Sequence, residues 1–320
     1  MEVVAIMTSA RFVRRTMLCA APVAAAWLAM VVPSAAQARE GSFERTLTVG
    51  GAVDLEVSAG AGAIRIQPGA GGSVRIAARL KAGDSWFSSD ASIAERIKKI
   101  EQNPPIEQQG NTIRVGHFAD GELSRNISIS YDVTVPADTK VTAHAGSGSI
   151  AVGAVKGAVH ANCGSGSIQV DGAASFEAHS GSGSITARAI GGAVSAQSGS
   201  GSITIAQVGP GEVSVSAASG SVTLTGVNGA ANVSTASGSI SIDGRPAGPW
   251  SLHASSGTVS ISVPPDAAFD LQARTSSGSV SSVLPVAISG EIDRRRLEGK
   301  VRGGGPVVKV STSSGNIRIR

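Results

Sequence analysis

Cysteine is almost missing from this 320-residue chain: there are two, and Cys19 falls in an N-terminal leader. An exported chain left with Cys163 alone forms no internal disulfide. An excess of one charge is missing as well. Past residue 38 there are 24 Lys and Arg against 22 Asp and Glu. A net charge near +2 gives no basic footprint, so nucleic acid is not expected as a partner. Long apolar runs are missing after the leader, and no later stretch reads as a membrane span.

The leader itself is legible. Arg11, Arg14 and Arg15 form a positive n-region, "TMLCAAPVAAAWLAMVVP" an apolar h-region, and "AQA" at 36–38 an A-x-A cleavage site. That order predicts a secretory signal peptide over residues 1–38, cut after Ala38, rather than a membrane anchor. Cys19 follows Leu18 where a lipoprotein signal needs a small residue, so no lipid anchor is expected. Arg14-Arg15 leaves twin-arginine export open beside the general route. The mature chain is expected in the periplasm, at the cell surface or secreted.

Residues 39–140 read as a strand-rich N-terminal part. "RTLTVGGAVDLEVSAGAGAIRIQPGAGGSVRIAARL" alternates apolar and polar residues between Gly-rich breaks, the pattern of short strands. One helix is predicted near 90–102. Ser89 or Asp90 caps it, Ile93, Ile97 and Ile100 share a face, and Pro104-Pro105 ends it.

From Val141 to Arg320 a repeat takes over. "GSGSI" stands at 146–150, 164–168, 181–185 and 199–203, with looser copies continuing to "SGNI" at 314–317. The Ile or Val after each corner falls at 150, 168, 185, 203, 222, 240, 259, 280 and 317, so the first seven steps are 17 to 21 residues. Columns of like residues stand at fixed offsets. One runs Val141, Val159, Phe176, Val194, Val213, Ala231, Trp250, Leu271, Val308. Two residues on, a second column is Ala, Val or Leu in every copy, and two further on is a third of small residues that includes Cys163. Period two on both sides of the glycine means two strands per copy. No copy can bury its own face, so copies must stack. The prediction is an all-β chain: a β-solenoid of about 18 residues per coil. Coils stacked about 4.8 Å apart give a rod on the order of 45 Å long. The glycines turn a corner, with Ser149, Ser167, Ser184 and Ser202 stacked there to satisfy freed backbone groups. No helical pattern follows any copy, so a phosphate loop is excluded. Residues 283–305 carry a charged insert read as a hairpin or loop, and "VVKVSTSSGNIRIR" is expected to re-enter the register and close the end.

With "YDVTVP" at 131–136, the repeated Ser-Gly-Ser-Ile coils and "TSSGNIRI" at 312–319, the chain resembles a family of bacterial envelope proteins known as putative adhesins. The resemblance covers most of the mature chain. It implies a β-solenoid at the cell envelope and brings no catalytic residues or cofactor with it.

Outward positions are where function would show. His144, His160, Glu177 and His179 are expected on one face in three successive coils, and imidazole with carboxylate can ligate a metal. A polar solvated face is the plainer reading of them. A partial Thr row at 186, 204 and 223 is too sparse to be an ice-binding face. The turns lack the Asp that calcium-binding solenoids carry. The coils lack the clustered carboxylates of polysaccharide-cleaving β-helices, since Glu177 stands alone, and no Asp completes a triad with the histidines. Cys163 and Trp250 fall in inward columns and are expected in the core. The resulting expectation is a non-catalytic envelope protein, an adhesin or scaffold without cofactor, that binds an envelope protein or glycan through flat polar faces. The alternative is an enzyme or metal-binding protein, with its site on the His144/His160/His179 face or in the N-terminal part around Asp84, Asp90 or Glu95.

Overall fold

Alternating apolar residues on either side of a glycine corner build one repeating layer. In the layer of Val159–Ser165 and Ile168–Val170, Val159, Ala161 and Cys163 point inward from one strand and Ile168 and Val170 from the other. The computed structural model describes residues 40–83, 90–288 and 293–320. The predicted leader and Asp84 lie outside them.

The layers stack in register as parallel ladders, forming two long sheets of 14 and 13 strands. In one sheet Val141, Val159, Phe176, Val194, Val213, Ala231 and Trp250 succeed one another directly. In the other, Ile150, Ile168, Ile185, Ile203, Val222, Ile240 and Val259 do the same. This is the expected β-solenoid, and all these residues are buried. Trp250 is in the core, its indole N–H donating to the Gly229 carbonyl at 2.9 Å.

The corner needs glycine because of its neighbours as well as its φ. Gly166 has φ +145°, and a Cβ there would run into the carbonyl oxygen of Gly148 in the preceding layer. The carbonyls at the corner are not served by the serine after the glycine. Ser149, Ser167, Ser184 and Ser202 are exposed. They stack through their backbones, each carbonyl accepting the preceding layer's anchoring N–H, as in Ile64 N–H to Ser149, Ile150 N–H to Ser167 and Ile168 N–H to Ser184. The third inward column supplies the side-chain donors. Cys163 Sγ donates to Gly148 O at 3.0 Å, Ser198 Oγ to Gly183 O at 3.2 Å and Thr275 Oγ1 to Gly315 O at 3.0 Å. A hydroxyl or thiol in that column is therefore a paired buried polar group.

Two features of the stack are not in sequence order. The stack begins before Val141. Asp54–Ala61 and Ile64–Gly69 form a layer in register with Lys140–Ser147 and Ile150–Val152, Leu55 beside Val141 and Ile64 beside Ile150. Outside it, Thr112–Val115 and Ile127–Pro136 supply a further layer, Ile113 beside Leu55 and Tyr131 beside Ile64. Eleven layers result, a rod about 50 Å long at ~4.8 Å per layer. At the other end, Val307–Ser314 and Ile317–Ile319 keep the expected register but do not close the rod. They lie between the Trp250–Ser256 and Phe269–Ser277 layers. The insert does the closing in that sheet. Its hairpin of Val286–Ile288 and Arg296–Val301 pairs antiparallel with the outer edge of Phe269–Ser277. Arg302, Gly303 and Gly304 then take φ of 48°, 91° and 90°, and the chain returns along the opposite edge of the same strand.

The first end is covered differently. Ser73–Ala82 runs antiparallel between Glu40–Thr48 and Ile127–Pro136. The helix Asp90–Gln102 packs Ile93, Ile97 and Ile100 into the core, as its periodicity predicts. The Glu101 carboxylate accepts the backbone N–H of Ser42 at 2.8 Å.

Candidate functional site

Because the layers keep one phase, every outward position becomes a row along the rod. One row reads Glu56, Thr142, His160, Glu177, Ser195, Ser214, Asn232, Ser251. The next reads Ser58, His144, Asn162, His179, Gln197, Ser216, Ser234, His253. Hydroxyl and amide groups dominate, and they bond across layers, as Ser234 Oγ to Ser216 Oγ at 3.3 Å. The opposite sheet carries the partial threonine row Thr186, Thr204 and Thr223.

The predicted histidine face exists, and its members do not converge. His160 Nδ1 lies 2.9 Å from Glu177 Oε2. The Asn162 amide donates to His144 Nδ1 at 3.3 Å. Asn162 separates His144 from His179 within their row. Among the described residues, no group of three or more His, Cys, Asp or Glu is placed to hold a metal ion. A fifth histidine, absent from the sequence-based list, completes this side of the molecule. His117 Nε2 stands 3.3 Å from Glu56 Oε1, and Arg114 Nε stands 3.3 Å from Glu56 Oε2. Its signal was the Thr112–Val115 strand, which local alternation shows but which is followed by Gly116 and His117 without the Gly-Ser step that marks the other corners.

Cys163 is buried, and that burial pushes its thiol above the usual range, while its bond to Gly148 opposes the shift. A thiol so placed is a poor nucleophile. Perturbed carboxylates occur as surface ion pairs. The Arg75 guanidinium holds Glu44 below the usual carboxylate range, Arg245 does so for Asp266 through contacts of 2.7 Å to both oxygens, and Arg296 for Glu298.

Two cavities open at the N-terminal end of the rod. One, of about 640 Å³, lies under the helix C-terminus and is lined by Asn103, Pro105, His117, Phe118 and Leu123 among others. The second, of about 440 Å³, lies at the corner of the outermost layers between Gly60, Gly116, Ser128 and Tyr131, and shares Phe118 with the first. Tyr131 is buried, and its hydroxyl has no hydrogen-bond partner. Burial also pushes its phenol well above the ordinary range. Of the acidic residues singled out for an N-terminal site, Glu95 is exposed and lines neither cavity. Asp84 and the Asp90 side chain are outside the described residues.

A family model described as Toastrack DUF4097 matches residues 98–320. Among solved structures, one described as a putative lipid binding protein from Parabacteroides distasonis aligns at 11% identity and TM-score 0.42 over 88% of this chain and 97% of that one. One described as a putative adhesin from Bacteroides fragilis aligns at 11% and 0.30 over 88% and 97%. One described as a putative cell adhesion protein from Clostridium sporogenes aligns at 11% and 0.23 over 87% and 99%. At such identities and scores these likenesses carry no argument about ligand or activity. No curated protein matches the chain.

Proposed function

The chain belongs to the Toastrack DUF4097 family, and from that premise we propose an exported, non-catalytic envelope protein that binds a protein or glycan over area. The observation that carries the reading is the pair of in-register outward rows, running from the Asp54–Ala61 layer to the Trp250–Ser256 layer and filled mostly by Ser, Thr, Asn and Gln. Such groups are weak acids and bases but good hydrogen-bonding surface. Repeat proteins commonly use rigid extended faces this way.

Two further observations agree. The titratable groups on the face stand in small separate contacts, such as His160 with Glu177 and Glu56 with Arg114 and His117, whereas acid–base catalysis draws on neighbouring groups whose pKa values are driven apart. The leader order in residues 1–38 supports export to the periplasm, the surface or the medium. Among the described residues no helix is long and apolar enough to cross a membrane.

The test is co-sedimentation of the mature chain with isolated envelope fragments, beside a turnover screen on envelope glycans and esters. Binding is expected to weaken at least tenfold when Ser216 and Ser234 are both changed to Lys. Turnover that disappears with one acidic residue of the N-terminal part would overturn the reading.

A further inference from the structure

Inside the rod, the corner of every layer is closed by its neighbour. Glycine lies on glycine so tightly that a Cβ at Gly183 would meet the Gly166 carbonyl, and one at Gly201 the Gly183 carbonyl. The outermost layer breaks this rule in part, covering Gly62 with the Ile129 carbonyl and not with a glycine. Its first strand ends at Val115 and its second begins at Ile127. Residues 116–126 leave the stack where other layers place a two-residue corner. The corner of the next layer, Gly60 and Ala61, is left facing a cavity of about 440 Å³.

That layer also differs in its anchor. Tyr131 stands in register with Ile64 and Ile150, in the column that is Ile or Val along the rest of the rod. It brings a hydroxyl into the apolar interior. Elsewhere buried hydroxyls near a corner have an acceptor: Ser198 donates to Gly183, and Thr312 donates to Gly257. The Tyr131 hydroxyl has none, although the residue is 1% exposed. A buried donor without a partner is costly and calls for an explanation.

The rest of the wall indicates what would satisfy it. Among the described residues no charged side chain lines this cavity. Ser58, Ser124 and Ser128 supply hydroxyls, Ile127 and Ile129 apolar surface, and Phe118 an aromatic ring at the boundary with the larger cavity. An ionic ligand would find no counter-charge. A purely aliphatic one would leave the Tyr131, Ser58 and Ser128 hydroxyls without a partner, Ser124 already donating to Gly121 O. A ring with apolar faces and a hydroxylated edge matches both parts of the wall, and the size falls within the range of small-ligand sites.

We propose that the cavity around Tyr131 and Phe118 binds an uncharged saccharide ring, with the Tyr131 hydroxyl donating to a sugar oxygen and Phe118 packing on the ring face. The inference rests on the glycan side of the proposed function and moves the point of sugar contact from the flat faces to the end of the rod.

The exported full chain is titrated with glucose, galactose and N-acetylglucosamine by calorimetry and saturation-transfer NMR. Octanol is the apolar comparator, and co-sedimentation with envelope fragments is run in parallel. At least one sugar should bind. Tyr131→Phe should weaken it at least fivefold without lowering the melting temperature, because the lost hydroxyl is unpaired in the free protein. Phe118→Ala, checked for folding by the same melt, should weaken it as well. Sugar affinity unchanged in a folded Tyr131→Phe variant, or binding of octanol and no sugar, overturns the site. If fragments sediment with the protein but no sugar binds, the cavity assignment fails while area binding stands. If neither binds, both fail.

Discussion

Ile203→Ala and Thr204→Ala change adjacent residues in mid-rod and should differ widely in cost. Ile203 is 0% exposed and sits between Ile185 and Val222, whereas Thr204 points outward between Thr186 and Thr223. Truncating Ile203 removes three carbons, about 2.4 kcal/mol at ~0.8 kcal/mol each. The cavity adds to that, since changes of this kind cost about 2–5 kcal/mol. The surrounding layers are held apart by ladder hydrogen bonds, and Ile203 N–H is itself bonded to Ser221 O at 3.0 Å. Collapse into the gap is therefore restricted, and a loss of about 3–4 kcal/mol is expected. Thr204→Ala should stay within about 0.5 kcal/mol. Urea unfolding followed by circular dichroism gives both values. Because stacked repeats can unfold in parts, hydrogen exchange across residues 185–224 serves as the local readout. Equal costs for the two variants would refute the inward–outward phase on which the whole stack depends.

Three other outcomes are expected. Gly166→Ala, at φ +145° and against the Gly148 carbonyl, should cost at least about 2 kcal/mol, while Ser167→Ala at the exposed neighbour should stay within about 0.5 kcal/mol; similar melts for the two would remove the glycine argument. Cys163 should react with a thiol reagent only slowly until the chain is unfolded. Its folded pKa is raised, so folding favours the neutral thiol, and its contribution should fade as pH climbs through the unfolded thiol's range and past the folded value; fast labelling of the native chain at neutral pH would contradict its burial. Arg245→Ala should let the Asp266 carboxyl rise toward its ordinary range in an NMR titration. The lowered pKa means the pair stabilises above the ordinary carboxylate range and is lost as pH falls, with a small effect at this exposed site; an unmoved titration would show that the pair does not form.

The histidine face illustrates how far a sequence reaches into a site. The row positions of His144, His160, Glu177 and His179 follow from period two and the repeat step, and the register pairs them as that arithmetic requires. Whether they converge depended on side-chain directions, and Asn162 between His144 and His179 keeps them apart. Tyr131 was visible as part of "YDVTVP", yet its unpaired hydroxyl became evident only once the missing corner at 116–126 was located.

The phase of each strand, the corner glycines and the helix at 90–102 were determined by the sequence alone, because they are local. Alternation fixes which side faces in, and the small third column fixes where the chain turns. The order of the layers was decided only in three dimensions. Trp250, Leu271 and Val308 are interchangeable as apolar members of one column, so nothing in the column says that Val308 lies between the other two. The antiparallel strand Arg296–Val301 and the turn through Arg302, Gly303 and Gly304 settle it by returning the chain along the other edge of Phe269–Ser277. Likewise Leu55 and Ile64 have the same spacing as Val141 and Ile150. Their place in the stack rests on pairing across more than seventy intervening residues, a long-range contact that local pattern does not encode.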